Sequence, residues 1–230
     1  MRVKLISHST APADSELDNV QELIAYCAKV SNPTNQINKK TSEKLITYLI
    51  KHQHWSPLEM VSACLEIETT RDIAHQMVRH RSFSFQEFSQ RYAKPGEMSN
   101  AFTTRECRLQ DHKNRQNSID VEHDPATQGD PKTVELITDW QRRQHGIIKA
   151  ATEVYEWAIE NGIAKEQARV VLPEGLTKTR LYMNGTIRSW VHYIELRGAN
   201  GTQKEHMEIA HACAKVIADI FPLAGDLING

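Results

Sequence analysis

Apolar residues recur along this chain at two spacings, and the change from one to the other marks its elements. Residues 2–7, RVKLIS, read as a short strand. A helical stripe follows over about 16–30, with Leu17, Val20, Ile24 and Cys27 on one side. Residues 42–53 repeat it with Leu45, Ile46, Leu49 and Ile50. Ser56, Pro57 and Glu59 then form a capping-box pattern, which predicts a helix amino terminus at Ser56. Such an end can hold an anion. Ser56 can equally do no more than cap its own helix, and the spacing by itself favours that. Over 61–69 the period drops to two: Val61, Ala63, Leu65 and Ile67 alternate as in a half-buried strand. Thr70 and Asp72 open a short helix carrying Ile73, Met77 and Val78.

From about 99 to 131 the chain is polar and poor in large apolar residues, as expected of a surface excursion. It is no domain linker, because the chain beyond it has to pack on the chain before it. Residues 132–161 predict a long amphipathic helix with Val134, Ile137, Trp140, Ile148, Ala151, Tyr155 and Ala158 inward and Gly162 past its end. A short helix over 165–172 stops at Pro173, and a strand near 177–183 leads into a helix over 186–197 ended by Gly198. A last helix runs from about 203 to 220, closed by Pro222.

Composition narrows the function. The 230 residues suit one domain or one large α/β unit, with 40% hydrophobic and 25% charged residues. A formal net charge of −1 argues against general polyanion binding, so any anion site is local. Four cysteines without a C-x-x-C pair read as isolated thiols of a reducing compartment. Cys27, Cys64 and Cys213 fall on apolar stripes. Cys107, between Arg105 and Arg108, is the one plausible reactive thiol. No apolar run reaches membrane-spanning length and no signal-peptide pattern opens the chain, so the expected location is cytoplasmic, with no membrane partner.

The usual chemical motifs are missing. There is no G-x-G-x-x-G, no G-x-x-x-x-G-K-[ST], no H-E-x-x-H and no G-x-S-x-G. His206 and His211 are spaced to splay around a helix, and no metal site is expected. What stands out is RHRSFSFQEFSQRY, residues 79–92. Arg71, Arg79, Arg81, Arg91 and Lys94 face only Asp72 and Glu87 in this region. Arginine forks match phosphate oxygens bidentately, and Ser84 and Ser89 can donate to the same groups. Phe83, Phe85 and Phe88 can pack inward or lie against a ring. A solvated basic face beside an aromatic core stripe explains the stretch equally well. Arg188 and His192, four apart, share a helix face, Arg197 stands at that helix's end, and Arg169 precedes VVLP.

Arg79-His80-Arg81, seven residues and then Ser89 match the R-H-R-x7-S signature of the flavin-dependent thymidylate synthases. HQHWSPLEM (52–60), QARVVLP (167–173) and IRSWVHYIELR (187–197) resemble the other landmarks of that family, in order. The resemblance covers nearly the whole chain. It implies a single α/β (α+β) domain over 1–230, a small central sheet flanked by long helices, assembled as a homotetramer with FAD and dUMP where subunits meet. It implies methylation of dUMP to dTMP, with methylenetetrahydrofolate as carbon donor and NADPH as reductant through the flavin. Carried over residue by residue, Ser56, Arg79, His80, Arg81, Glu87, Thr186, Ile187, Arg188 and His192 fall at the flavin. Gln76, Met77, Val78, Arg79, the segment Glu87, Phe88, Ser89, Gln90 and Arg91, with Arg169 and Arg197, fall at dUMP. His54 matches a histidine near flavin and folate. Arg197 matches the arginine that activates the uracil ring, in place of a cysteine nucleophile. No nucleic-acid partner is implied. Two other classes of function stay open at this point: a non-catalytic nucleotide or nucleic-acid binder, and a flavoprotein without synthase activity.

Overall fold

A computed structural model describes residues 2–94, 101–121 and 129–223. Strand β1 (Arg2–His8) is followed by helices α1 (Val20–Ala28) and α2 (Ser42–Lys51), strand β2 (Ser62–Thr70), helix α3 (Arg71–Met77) and strand β3 (Phe83–Glu87). A small hairpin, β4 (Arg108–Gln110) and β5 (Ser118–Asp120), precedes the long helix α4 (Pro131–Glu160) and the short α5 (Lys165–Ala168). Strand β6 (Lys178–Thr186) then runs directly into α6 (Ile187–Gly198), and α7 (Lys204–Ala218) completes the described chain.

The main sheet has the order β1-β2-β6-β3, every pair antiparallel. The period-two pattern of β2 does what it predicts: Ala63, Leu65 and Ile67 are buried, and their β6 neighbours Leu181 and Met183 lie on the same face. Helices α6 and α7 cover that face with Ile187, Trp190, Val191, Ile194, Ile209, Cys213 and Ile217, all but fully buried. The other face carries cross-strand polar pairs, Arg180 with Glu68 and the Tyr182 hydroxyl donating to Glu66. The small sheet is therefore flanked by helices, with α6 and α7 on its apolar face, and carries polar pairs on the other.

Four expectations need correction. Strand β3 lies inside the arginine stretch, where no strand is expected: Phe83 is buried, Ser84 and Gln86 are exposed and Phe85 is half-buried. Phe83 pairs with Gly185, and a Cβ there would stand 2.4 Å from the Phe83 ring, so only glycine admits this approach. Second, Ser56 begins a four-residue 3-10 turn (Ser56–Glu59), not an α-helix, and its side chain makes no capping bond. Trp55 is already in the right-handed helical region, so the turn lacks the extended residue that a capped amino terminus needs. Third, the inward stripe of α4 holds only for Ala151, Tyr155 and Ala158, which are buried, and for the half-buried Ile137 and Ile148; Val134 is 53% and Trp140 41% exposed.

The fourth correction concerns the excursion. Residues 99–100 and 122–128 lie outside the described residues, but 101–121 is docked onto the fold. Lys178 donates its backbone N–H to Ala101 and Thr103 donates to Leu176. The Arg105 guanidinium donates to both Asp72 oxygens at 2.9 and 3.0 Å, and Trp140 donates its indole N–H to the Arg105 carbonyl at 3.1 Å. Cys107 is consequently buried rather than a surface thiol, and no disulfide forms among the described residues.

Candidate functional site

Helix α3, the turn after it and β3 hold the arginine motif against the end of α6. Arg197 donates its Nε–H to Nε2 of His80 at 2.9 Å, which joins the two stretches singled out in the sequence. His80 therefore carries its proton on Nδ1, and burial followed by the charge of Arg197 lowers its pKa. Tyr193, one helical turn before Arg197, sets its ring edge-on to His80 at 5.0 Å. The Nη groups of Arg197 make no hydrogen bond to any described residue. Arg79 and Arg81 are exposed, and neither forms an ion pair among the described residues.

A second group gathers at the other end of α3. Arg71, Gln90 and Arg169, with Glu166, Val170, Leu172 and Glu174, line an open cleft of about 490 Å³. Gln90 is 4% exposed, and its buried Nε2 has no partner among the described residues. An amide left so without a ligand costs roughly 1–3 kcal/mol. Glu87 is held from both sides, by Arg71 at 3.3 Å and by the Thr179 hydroxyl at 2.8 Å. The Arg91 backbone N–H donates to the Ser89 hydroxyl, and Phe88 donates its own to the Arg180 carbonyl. Met77 is fully buried in the core, so only its backbone can meet a ligand, whereas Val78 is 38% exposed. The sequence places Arg71 in the basic run but gives no sign that it lines a site.

A third group lies where the Ser56 turn meets α6. Arg188 pairs with Glu59, the carboxylate of the expected capping box. His192 lies edge-on to Trp55 at 4.4 Å. Thr186 caps α6 by accepting from the Ser189 N–H, and the Ile187 side chain is fully buried, leaving its backbone for any contact. Ser56 and His54 are exposed nearby in sequence.

No hydrogen bond or ion pair among the described residues joins the Arg71–Arg169 cleft to the His80–Arg197 pair. The two stand at opposite ends of α3. The two guanidiniums and the orphaned amide of the cleft suit a single phosphate, and the exposed Arg79 and Arg81, without ion pairs among the described residues, can receive a further anion.

Sequence reading missed the residues behind this surface. His206, fully buried on α7, bridges Oε1 of Gln76 and the Tyr193 hydroxyl, each at 3.1 Å. Burial, then the charges of Arg197 and His80, drive its pKa down to about 3. A pH dependence results. The unfolded chain protonates both histidines near 6.5, while the fold resists it. This contribution is complete above about pH 6.5 and is lost as pH falls, at about 1.4 kcal/mol per pH unit for each histidine fully withheld from its proton. The urea midpoint is thus expected to fall between pH 7 and 5, and to fall less steeply in His206→Asn. Equal slopes would show that His206 is not the source.

The sequence matches the thymidylate synthase complementing protein family over residues 13–223. A probable flavin-dependent thymidylate synthase of Paramecium bursaria Chlorella virus 1 is 48% identical over 223 residues, covering 96% of each chain. A flavin-dependent thymidylate synthase of Synechocystis is 47% identical over 210 residues, 91% of this chain and 89% of that protein. Among solved structures, the UMP/dUMP methylase PolB of Streptomyces cacaoi, bound with 5-Br UMP, superposes with a TM-score of 0.77 over 99% of this chain and 93% of its own. At 23% identity that likeness is one of fold.

Proposed function

The chain belongs to the thymidylate synthase complementing protein family, the flavin-dependent thymidylate synthases, and from that premise we propose that it converts dUMP to dTMP with FAD, methylenetetrahydrofolate and NADPH, Arg197 activating the uracil ring. The observation that supports this most is the Arg197–His80 pair. One edge of the guanidinium is committed to a neutral imidazole, and both Nη groups stay available beside the exposed Arg79 and Arg81. Making uracil C5 nucleophilic puts negative charge on the ring. A fixed, permanently charged guanidinium stabilises that charge without covalent attachment. His80, held neutral, does not compete for it. When bound, the flavin supplies the hydride.

The protein's own groups divide the remaining work. The cleft of Arg71, Gln90 and Arg169 receives the dUMP phosphate, which satisfies the orphaned Gln90 amide. Arg79, Arg81, Ser56 and Arg188 hold the FAD diphosphate, with Thr186, Ile187 and His192 beside it and Glu87 between flavin and substrate. For Arg188 that means giving up or sharing Glu59. No thiol is needed: Cys213 is completely buried, with its pKa pushed up by that burial, and Cys107 is buried.

Because the cleft and the Arg197 pair are separate within one chain, neighbouring subunits complete each site, in a homotetramer. Leu136, Trp140, Ile147, Val154 and Trp157 recur along α4 at spacings of four, seven, seven and three residues and are 41–58% exposed, an apolar stripe suited to a second copy. No helix among the described residues is long and apolar enough to cross a membrane, in keeping with work in the cytoplasm. The test is dTMP formation by the purified protein with its co-substrates, for the wild type and for Cys107→Ser. Both are expected to be yellow and active. Protein that stays colourless after incubation with FAD, or a well-folded Cys107→Ser variant without turnover, would overturn the reading. Light scattering showing only monomer would overturn the shared site.

A further inference from the structure

Gln76 is held by a chain of hydrogen bonds that runs in one direction. Its Nε2 donates to Oε1 of Gln203 at 2.8 Å, and Nε2 of Gln203 donates to Oε2 of Glu205 at 2.9 Å. On its other side, Oε1 of Gln76 meets Nδ1 of His206, whose Nε2 meets the Tyr193 hydroxyl. An amide can turn over and a neutral imidazole can change tautomer, so the order of donors along such a chain has to be set somewhere. Glu205 sets it. Its carboxylate accepts only, and Arg108 and Arg105 of the docked excursion pair with it. Burial raises its pKa, but its backbone N–H, Arg105, Arg108 and Gln203 outweigh this and hold it below the ordinary value. If Gln203 turned over, its carbonyl oxygen would face that carboxylate. Gln203 therefore presents oxygen to Gln76, Gln76 presents nitrogen to Gln203 and oxygen to His206, and His206 donates from Nδ1 while accepting from Tyr193.

We propose that Gln203 and Glu205 are positioning residues that lock the Gln76 carboxamide in one orientation, and that the locked amide discriminates uracil from cytosine. One N–H and one lone pair of Gln76 remain after these bonds. Uracil and cytosine exchange donor and acceptor at N3 and at the 4-position. A freely turning amide serves both bases, and a locked one serves a single base. This lock rests on the reading that Gln76 meets dUMP. The docked 101–121 segment takes part in it, since its arginines fix the far end of the chain of hydrogen bonds.

Gln203→Met separates this role from a structural one. Gln203 is exposed and its side chain caps no helix, and the Gln76–His206–Tyr193 contacts can persist in either direction without it. Binding of dUMP and of dCMP to the flavin-loaded enzyme would be measured by calorimetry for wild type, Gln203→Met and Gln76→Ala. Both variants are expected to lower the dUMP-over-dCMP preference about fivefold or more, the scale of one hydrogen bond. A preference lowered in Gln76→Ala but unchanged in Gln203→Met would overturn the lock alone. An unchanged preference in Gln76→Ala would show that Gln76 does not read the base, which removes that reading and the lock with it. An equal loss of affinity for both nucleotides in Gln203→Met would mark a merely structural contact and also overturn the proposal.

Discussion

Replacing Arg197 by lysine is expected to slow dTMP formation by roughly 10²–10³-fold, the scale for removing one preorganised donor at a developing charge, while the protein stays yellow. The charge survives this change; the geometry does not. In the proposed site Arg197 would serve two partners from one plane, with Nε on His80 and its Nη pair turned to the nucleotide. A lysine ends in a single ammonium, which either returns to His80 or reaches the ring, and it has no planar fork. Flavin retention is expected because the proposed flavin contacts at Arg79, Arg81 and Arg188 are untouched. Single-turnover dTMP formation and the visible flavin spectrum together decide the matter. Turnover near wild type would mean that Arg197 does not activate the ring, and loss of flavin as well would mean that it supports the fold.

The second large effect is on stability. Trp190 is fully buried, donates its indole N–H to the Ala63 carbonyl at 3.0 Å, and packs on Phe83 at 4.8 Å and Tyr193 at 5.9 Å. Trp190→Ala empties this space and removes the indole's bond to that carbonyl. The expected cost is about 3–5 kcal/mol, lowering Tm by about 10 °C in a chain of this length. Thermal unfolding read by near-UV circular dichroism measures it. A loss below about 1 kcal/mol would mean that the surroundings collapse onto the gap, contrary to the close packing around Trp190. Activity is expected to fall before the protein unfolds, since Phe83 opens the strand after the arginine motif and Tyr193 anchors His206.

Much of this can be read from the chain because its signals are local. The alternation of β2 and the run from Thr186 to Arg197 each carry their whole signature in one stretch. Pairing Arg197 with the arginine motif needs the family resemblance, since 117 residues separate Arg197 from His80. The resemblance does not reach His206, because its bond to Gln76 spans 130 residues between two helices with no shared motif. Strand β3 is hidden by charge: the arginines before and after it mask the alternation of Phe83 and Phe85. Glu59 misleads for a related reason. A carboxylate three residues after a serine signals a cap, but this one is taken by Arg188, brought in from α6. Val134 and Trp140 of α4 are assigned to the wrong side because periodicity shows that a helix has an apolar face and cannot say whether its own chain covers it.

Helix α3 places Arg71 at the cleft and Gln76 at the locked amide, five residues on. At about 1.5 Å and 100° per residue, that fixes their separation along the axis at about 7.5 Å and their mutual bearing as well. The helix is thus a gauge block between the cleft and the Gln76 amide, and its length matters more than most of its side chains. A conservative exchange at an exposed position leaves the gauge intact, whereas one inserted residue would turn Gln76 away from Gln203 and His206 by about 100°, a little over a quarter of a circle. In this segment the chain can vary in letter far more readily than in count.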